Sequence, residues 1–115
     1  MTFLTTLLAS YQARHDAFGP ISEPQWRMLM DLEVNGATRA TSVCAASGTA
    51  ETTGLRHLEA LQKAGFVTRR PDPGDRRAEI VSLTAKAQGA FVDFLLRMEH
   101  AESARRSSQA PRLVA

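Results

Sequence analysis

Hydrophobic residues recur every three or four positions at the start of the chain, and this period predicts an amphipathic helix over residues 2–17. The recurring positions are Phe3, Leu4, Leu7, Leu8, Tyr11 and Phe18, and His15 falls at the same spacing. Gly19 and Pro20 follow directly, and they end the helix because proline cannot continue it. The first predicted element is therefore a helix with one apolar face.

A second helix begins with a dense set of start signals. Ser22 is a preferred N-cap residue, Gln25 three positions later can complete a capping box, and Pro24 fits the first turn. The helix extends to about Val34 and ends at Gly36. We expect its apolar side to bury Trp26, Leu29, Met30 and Leu32.

Two short helices joined by a tight turn are predicted next. After residues 37–39, which can be extended, the segment Thr41–Ser47 consists mostly of small residues and fits a short helix. Thr49 can cap a further helix over Ala50–Ala64, which Gly65 ends. Small side chains in the first helix permit a close crossing with the second, as in a helix-turn-helix unit.

Alternating residues then predict a β-hairpin. Residues 66–70 and 79–83 have the two-residue period of strands, and the polar segment 71–78 between them is rich in turn-forming residues. Thr84 can cap a last helix that extends to about residue 104. The chain thus alternates helices with one small hairpin.

These elements predict a mainly α-helical fold with a small β-hairpin wing, which is a winged helix-turn-helix. We expect a single domain over residues 1–104, in which residues 41–83 form the helix-turn-helix and the wing. The tail, residues 105–115, has no periodicity and is expected to be flexible.

Length and composition place the chain among globular proteins of one domain. It has 115 residues, of which 43% are hydrophobic and 23% charged, close to the average for soluble domains. It contains no apolar run of about 20 residues and no secretory leader, so we expect no membrane contact and a cytoplasmic location. The single cysteine, Cys44, cannot form an internal disulfide and fits a reducing compartment.

Positive charge is concentrated in the middle of the chain. The formal net charge is +2, but residues 39–77 contain seven basic and four acidic residues, a net of +3, whereas residues 1–38 have a net of −2. A basic segment between nearly neutral ends indicates one surface that faces a polyanion.

The helix predicted over Ala50–Ala64 has an apolar side and a polar side. At about 100° per residue, Leu55, Leu58 and Leu61 cluster on one side. The polar side carries the residues that we predict to contact DNA: Thr52, Thr53, Arg56 and Lys63. Arginine can pair bidentately with guanine in the major groove, and threonine can contact phosphate or a thymine methyl. For an isolated helix, an ordinary solvated face is the alternative interpretation.

The hairpin adds further candidate DNA contacts, which are Arg69, Arg70, Arg76 and Arg77. On a wing that follows a helix-turn-helix, such cations can contact phosphates or enter a narrow minor groove. Asp75 can orient a neighbouring arginine through a charge-assisted pair. The alternative is that these arginines only keep an exposed hairpin soluble, but four of them on one hairpin favour nucleic acid.

Several segments resemble the MarR (multiple antibiotic resistance regulator) family of winged helix-turn-helix proteins. They are Trp26–Leu32, EALQKAG at Glu59–Gly65 and FVTRRPDPGDRRAEIVSLT at Phe66–Thr84, and the similarity covers about residues 22–98. Asp75 and Arg77 match the Asp-x-Arg of the family's wing. The resemblance implies a transcriptional regulator of double-stranded DNA, with Arg77 in the minor groove and Asp75 as its positioning residue.

The two terminal helices, within residues 1–18 and 84–104, are expected to form a homodimer. Exposed apolar stripes on both would otherwise make so small a chain poorly soluble, and terminal helices build the dimer in the family that the sequence resembles. A two-fold dimer implies an inverted repeat as the DNA site. The sequence identifies no small-molecule effector.

Other classes of function fit the sequence less well. The chain has no metal-ligand spacing, phosphate-cradling glycine loop or nucleophile motif, so we expect no metal, no cofactor and no enzyme activity. A winged-helix module for protein–protein contact is the main alternative, and it needs no arginines on the wing. RNA binding is less favoured because no aromatic residues lie among the basic ones. We expect Cys44 to be a buried hydrophobic residue, and a redox sensor is the less favoured interpretation.

Overall fold

The computed structural model describes residues 2–109, over which the chain forms five α-helices and three β-strands. In chain order they are α1 (Thr2–Phe18), α2 (Glu23–Asn35), β1 (Thr38–Arg39), α3 (Ala40–Ala46), α4 (Glu51–Lys63), β2 (Val67–Asp72), β3 (Asp75–Leu83) and α5 (Ala85–Gln109). They form two compact units, a central unit of residues Ile21–Gly89 and a terminal unit that contains α1 and α5 from Ala90 onward. The single domain predicted over residues 1–104 stays a prediction.

Helix α2 begins as the sequence predicted. The backbone N–H of Gln25 donates to Oγ of Ser22 over 3.3 Å, and the backbone N–H of Ser22 donates to Oε1 of Gln25 over 2.9 Å. This capping box satisfies donors that a helix start leaves without partners. The helix ends at Gly36, whose φ of +82° is a conformation that favours glycine.

The buried face of α2 differs from the prediction at one position. Trp26, Leu29 and Leu32 are buried as expected, but Met30 is 38% exposed, so its predicted burial is wrong. Met28 is completely buried instead. At about 100° per residue, Met28 lies about 40° from Leu32 around the helix, whereas Met30 lies about 100° from Leu29, the nearer of the two buried leucines.

The helix-turn-helix consists of α3 and α4, which cross closely. A Cβ atom built on Gly54 would lie 3.1 Å from Cβ of Cys44 and 3.2 Å from its carbonyl oxygen. Since Cys44 is itself buried, a methyl group at Gly54 would fit only if its neighbours shifted by a few tenths of an ångström. The contact between Gly54 and Cys44 thus shows the close crossing that small residues were predicted to permit.

The predicted cap of α4 is wrong. Its N-cap residue is Ala50, which has no side chain able to accept a hydrogen bond. Thr49 instead lies one residue earlier, with its Oγ1 atom 2.7 Å from Oγ of Ser47. Ser47 in turn donates to the carbonyl oxygen of Cys44 over 2.6 Å. The two hydroxyl groups thus stabilise the turn between α3 and α4, and Thr49 does not cap the helix.

The sheet is antiparallel, with strand order β1-β3-β2. Strands β2 and β3 form the wing, and both are longer than predicted, so that only Pro73 and Gly74 separate them. The backbone N–H of Gly74 donates to Oδ1 of Asp72 over 2.9 Å, which stabilises this short turn. The extended segment predicted at residues 37–39 supplies the third strand, in which Arg39 is opposite Ile80.

Thr84 caps α5 as predicted. Its Oγ1 atom accepts the backbone N–H of Ala87 over 3.1 Å and donates to the carbonyl oxygen of Gly65 over 2.6 Å. A single hydroxyl therefore links the start of α5 to the end of α4.

The end of α5 differs from the prediction, because the helix continues past Arg105 to Gln109. Glu102 forms ion pairs with Arg105 and Arg106, three and four residues later, and such pairs stabilise a helical turn. The helix boundary predicted at Arg105 is thus wrong, and the remainder of the predicted tail, residues 110–115, lies outside the described residues.

The terminal unit is held together by an aromatic contact and ion pairs. The rings of Phe18 and Phe91 meet edge to face, with their centres 4.8 Å apart. Arg97 forms ion pairs with Asp16 at 3.6 Å and with Asp93 at 3.1 Å. A cavity of about 420 Å³ lies between the two helices. Within the described residues, neither α5 nor any other helix has the length and apolar character needed to cross a lipid bilayer.

Candidate nucleic-acid interface

Helix α4 presents its predicted polar side to solvent. Leu58 and Leu61 are buried in the central unit, and Leu55 is half-buried. Arg56 is exposed on the opposite side of the helix. The other three predicted contacts on α4 are also exposed, namely Thr52, Thr53 and Lys63. Burial of the leucine face thus leaves a guanidinium, two hydroxyls and an ammonium group available to a ligand.

Three of the four wing arginines are exposed, and these are Arg70, Arg76 and Arg77. Arg76 and Arg77 are part of β3 because the wing strands extend almost to the tip, so they do not lie in the loop that the sequence predicted. Within residues 2–109, the guanidinium groups of these three arginines form no ion pair or hydrogen bond. The wing therefore offers free cations.

Arg69 is placed differently from the other wing arginines. Its Nη2 atom lies 2.7 Å from Oε1 of Glu79 on the neighbouring strand, and its side chain is only 17% exposed. Its Nε atom is buried and has no hydrogen-bond partner. The structure thus keeps Arg69 inside the wing, where its charge is largely offset by Glu79, and does not bring it together with the exposed arginines.

Asp75 contacts the main chain of Arg77 and not its guanidinium group. Oδ1 of Asp75 accepts the backbone N–H of Arg77 over 3.0 Å. A carboxylate that accepts a backbone N–H two residues later shapes the chain locally. Asp75 therefore sets the path of β3 at the point where Arg77 projects, and the side-chain pair expected between the two residues is not formed.

A cleft of about 180 Å³ separates the helix-turn-helix from the wing. Its lining comes from β1, α3, α4 and β3, and consists of Arg39, Ala40, Thr41, Cys44, Glu51, Leu55, Arg77, Ala78 and Glu79. We call it the α4–wing cleft. The start of α4 and the middle of β3 therefore border the same cleft, and Arg77 is the exposed wing arginine that lines it.

Sequence reasoning misses Arg39, which lines this cleft, and the ion pair that it forms. Nη2 of Arg39 lies 3.3 Å from Oδ2 of Asp72, and this ion pair connects β1 with the end of β2. The sequence marks Arg39 only as part of the basic segment, since its position depends on the pairing of β1 with β3. The extended segment at residues 37–39 is the one available signal, but it does not specify a partner strand.

Cys44 lines the cleft but is buried, as expected for a small apolar side chain. Burial raises the pKa of the Cys44 thiol, the nearby positive charge of Arg69 partly opposes this, and Glu51 adds to it. The thiol is therefore held in its protonated, poorly reactive form.

Known proteins share this fold and part of this sequence. Residues 21–78, about half of the chain, match the model of the MarR family. Over 73 residues the chain is 37% identical to the HTH-type transcriptional regulator YfiV of Bacillus subtilis. This match covers 62% of the chain and 44% of YfiV, so the chain spans less than half the length of that relative.

Two solved structures illustrate the similarity of fold. The transcriptional regulator Tm0710 from Thermotoga maritima is 24% identical, with a TM-score of 0.79, over 98% of this chain and 80% of that one. Overoxidized AbfR bound to DNA is 20% identical, with a TM-score of 0.65, over 98% of this chain and 85% of that one. At these identities the likeness shows a shared winged helix-turn-helix fold.

Proposed function

Because the chain belongs to the MarR family, we propose that it is a transcriptional regulator that binds double-stranded DNA. Helix α4 enters the major groove, and the wing lies over the adjacent minor groove. AbfR, which shares the fold, has been crystallised bound to DNA. In this proposal the chain acts by binding and not by catalysis.

The observation that carries the proposal is the presence, in the described part of the chain, of exposed arginines without ion pairs on both α4 and the wing. Arg56 on α4 and Arg77 on β3 are exposed and form no ion pair through their side chains within residues 2–109. A protein–protein module would need the buried leucines of α4, but it would have no use for unpaired cations on both elements. A polyanion whose grooves receive a helix and a hairpin accounts for both.

The roles of the individual residues follow from their positions. Arg56 is directed away from the core and reads a base edge, whereas Thr52, Thr53 and Lys63 contact the edges of the major groove. Arg70, Arg76 and Arg77 supply the electrostatic contacts of the wing, with Asp75 as the residue that positions Arg77. Arg69 acts within the wing, where it holds the two strands together through Glu79.

Exposed apolar side chains in the terminal unit support the proposal of a homodimer. Large apolar side chains on both of its helices are exposed, and they are Phe3, Leu4, Leu7, Leu8, Tyr11, Val92, Leu95 and Leu96. Phe3 and Leu8 are more than 70% exposed, at 74% and 71%. A second copy that packs on these helices would remove this surface from water. Two-fold symmetry then requires an inverted repeat in the DNA.

The experiment that tests the function is fluorescence anisotropy with a labelled duplex of about 30 base pairs, titrated at several salt concentrations. Arg77→Ala should weaken binding to all sequences and flatten the log–log salt slope by about 0.9, the value for one phosphate contact. Arg106→Ala, which removes a charge from α5 in the terminal unit, is the matched control and should leave the slope unchanged. If the intact chain binds no duplex at low salt, the protein–protein module becomes the better proposal.

A further inference from the structure

The α4–wing cleft must face a DNA backbone if the proposed function is correct, and the role of its charges rests on that function. A sugar–phosphate strand separates each major groove from the neighbouring minor groove. With α4 in the one and the wing over the other, that strand passes across the opening between them. The α4–wing cleft is that opening, so the charges that line it determine how strongly a phosphate group binds there.

Arg39 is the cation that β1 supplies to this cleft. Pairing with β3 places it opposite Ile80, and its side chain is 55% exposed. It shares the lining of the cleft with Arg77, to which the wing contact has been assigned. Arg39 is thus positioned to meet the strand that passes between the groove of α4 and the groove of the wing.

Asp72 holds Arg39 through a single contact. Oδ2 of Asp72 is 3.3 Å from Nη2 of Arg39, while Oδ1 accepts the backbone N–H of Gly74 at the wing tip. The carboxylate is therefore anchored by the turn, and its side chain is only 16% exposed. The guanidinium is the more exposed partner, and within the described residues it makes no contact with the turn, so it can leave without disturbing it.

Two carboxylates, Glu51 and Glu79, line the cleft itself and oppose an incoming phosphate. Glu79 is engaged by Arg69 over 2.7 Å, so its charge is largely compensated. Glu51 at the start of α4 forms no ion pair within residues 2–109 and remains repulsive. The attraction of the cleft for a phosphate therefore depends on whether Arg39 is directed toward Asp72 or toward the DNA.

We infer that Arg39 is a DNA-backbone contact that Asp72 holds in the free protein and releases on binding. The phosphate replaces the carboxylate as the partner of the guanidinium, which is an exchange of one charge-assisted contact for another. Asp72 thereby lowers the affinity for DNA of any sequence, and it does so through Arg39.

The test combines Arg39→Gln and Asp72→Asn, singly and together, in the full chain with a labelled random-sequence duplex of about 30 base pairs. Asparagine keeps the Oδ1 acceptor for Gly74, so Asp72→Asn removes the charge while retaining the turn. Arg39→Gln should weaken binding and flatten the salt slope by about 0.9. Asp72→Asn should strengthen binding. The fold-increase in affinity should be about three times larger in the parent chain than in the Arg39→Gln chain, because an exposed ion pair contributes about threefold in affinity.

Glu51→Gln provides the control for simple loss of negative charge, because it removes a carboxylate from the same cleft without breaking an ion pair. Its gain in affinity should be equal in the parent and Arg39→Gln chains. Equal gains from Asp72→Asn in the two backgrounds would overturn the inference, as would an Arg39→Gln chain with an unchanged salt slope. Both results require a parent chain that binds the duplex, so they leave the proposed function standing. Loss of duplex binding by the parent chain would instead refute the function and, with it, this inference.

Discussion

Replacement of Gly54 by alanine tests how closely α3 and α4 cross. The new methyl carbon would lie 3.1 Å from Cβ of Cys44 and 3.2 Å from its carbonyl oxygen, closer than carbon atoms normally pack. Neither atom is the end of a flexible side chain, so the backbone at the crossing has to shift by a few tenths of an ångström. Overpacking of this kind costs about 1–3 kcal/mol. Alanine regains about 1 kcal/mol through its higher helix propensity, which leaves a net loss of roughly 1 kcal/mol.

Gly89 provides the matched control, since it also lies inside a helix and a Cβ there would meet nothing within 4 Å. Gly89→Ala should therefore stabilise the protein by up to about 1 kcal/mol, and the two variants should differ by about 2 kcal/mol. Urea unfolding, followed by fluorescence of Trp26, the only tryptophan, measures both at one protein concentration. Equal stabilisation by the two alanines would refute the close crossing.

Three further outcomes are expected. Arg56→Ala should lower affinity for a selected specific site by about 1–3 kcal/mol while affinity for random duplexes falls far less; equal losses on both would mean that Arg56 contacts phosphate. Light scattering at micromolar concentration should give the mass of a dimer, and Leu8→Lys should shift it toward the monomer; a monomeric parent chain, with and without duplex, would contradict the dimer. Because burial raises the pKa of the Cys44 thiol, the native chain should react with a thiol reagent at least about tenfold more slowly than the urea-unfolded chain; equal rates would show that the thiol is accessible.

Local signals in the sequence account for the helices and for one face of the candidate site. The capping box of Ser22 and Gln25 forms as predicted, because both partners lie within one turn of the helix. The period of the leucines in α4 correctly placed Arg56 in solvent, since a helix has a fixed rotation per residue. Signals of this kind require no knowledge of distant parts of the chain.

The features that sequence reasoning misses depend on residues far apart in the chain. Arg39 lies at the cleft because β1 pairs with β3, and the separation between Arg39 and Ile80 carries no local period. The same holds for the ion pair between Arg69 and Glu79, which withdraws one predicted DNA contact into the wing. The sequence around Arg39 or Arg69 alone does not specify which acidic residue forms an ion pair with the arginine.

In the wing, local sequence signals and contacts between distant residues both determine the structure. Alternation of polar and apolar residues predicted its two strands, and the turn-forming residues predicted their connection. Pairing across the hairpin then extended the strands to Asp72 and Asp75, which moved Arg76 and Arg77 from a predicted loop onto β3. Local propensity thus specified that a hairpin forms, whereas hydrogen bonding between strands set its length and the charges it presents, because a ladder continues as long as backbone partners face each other.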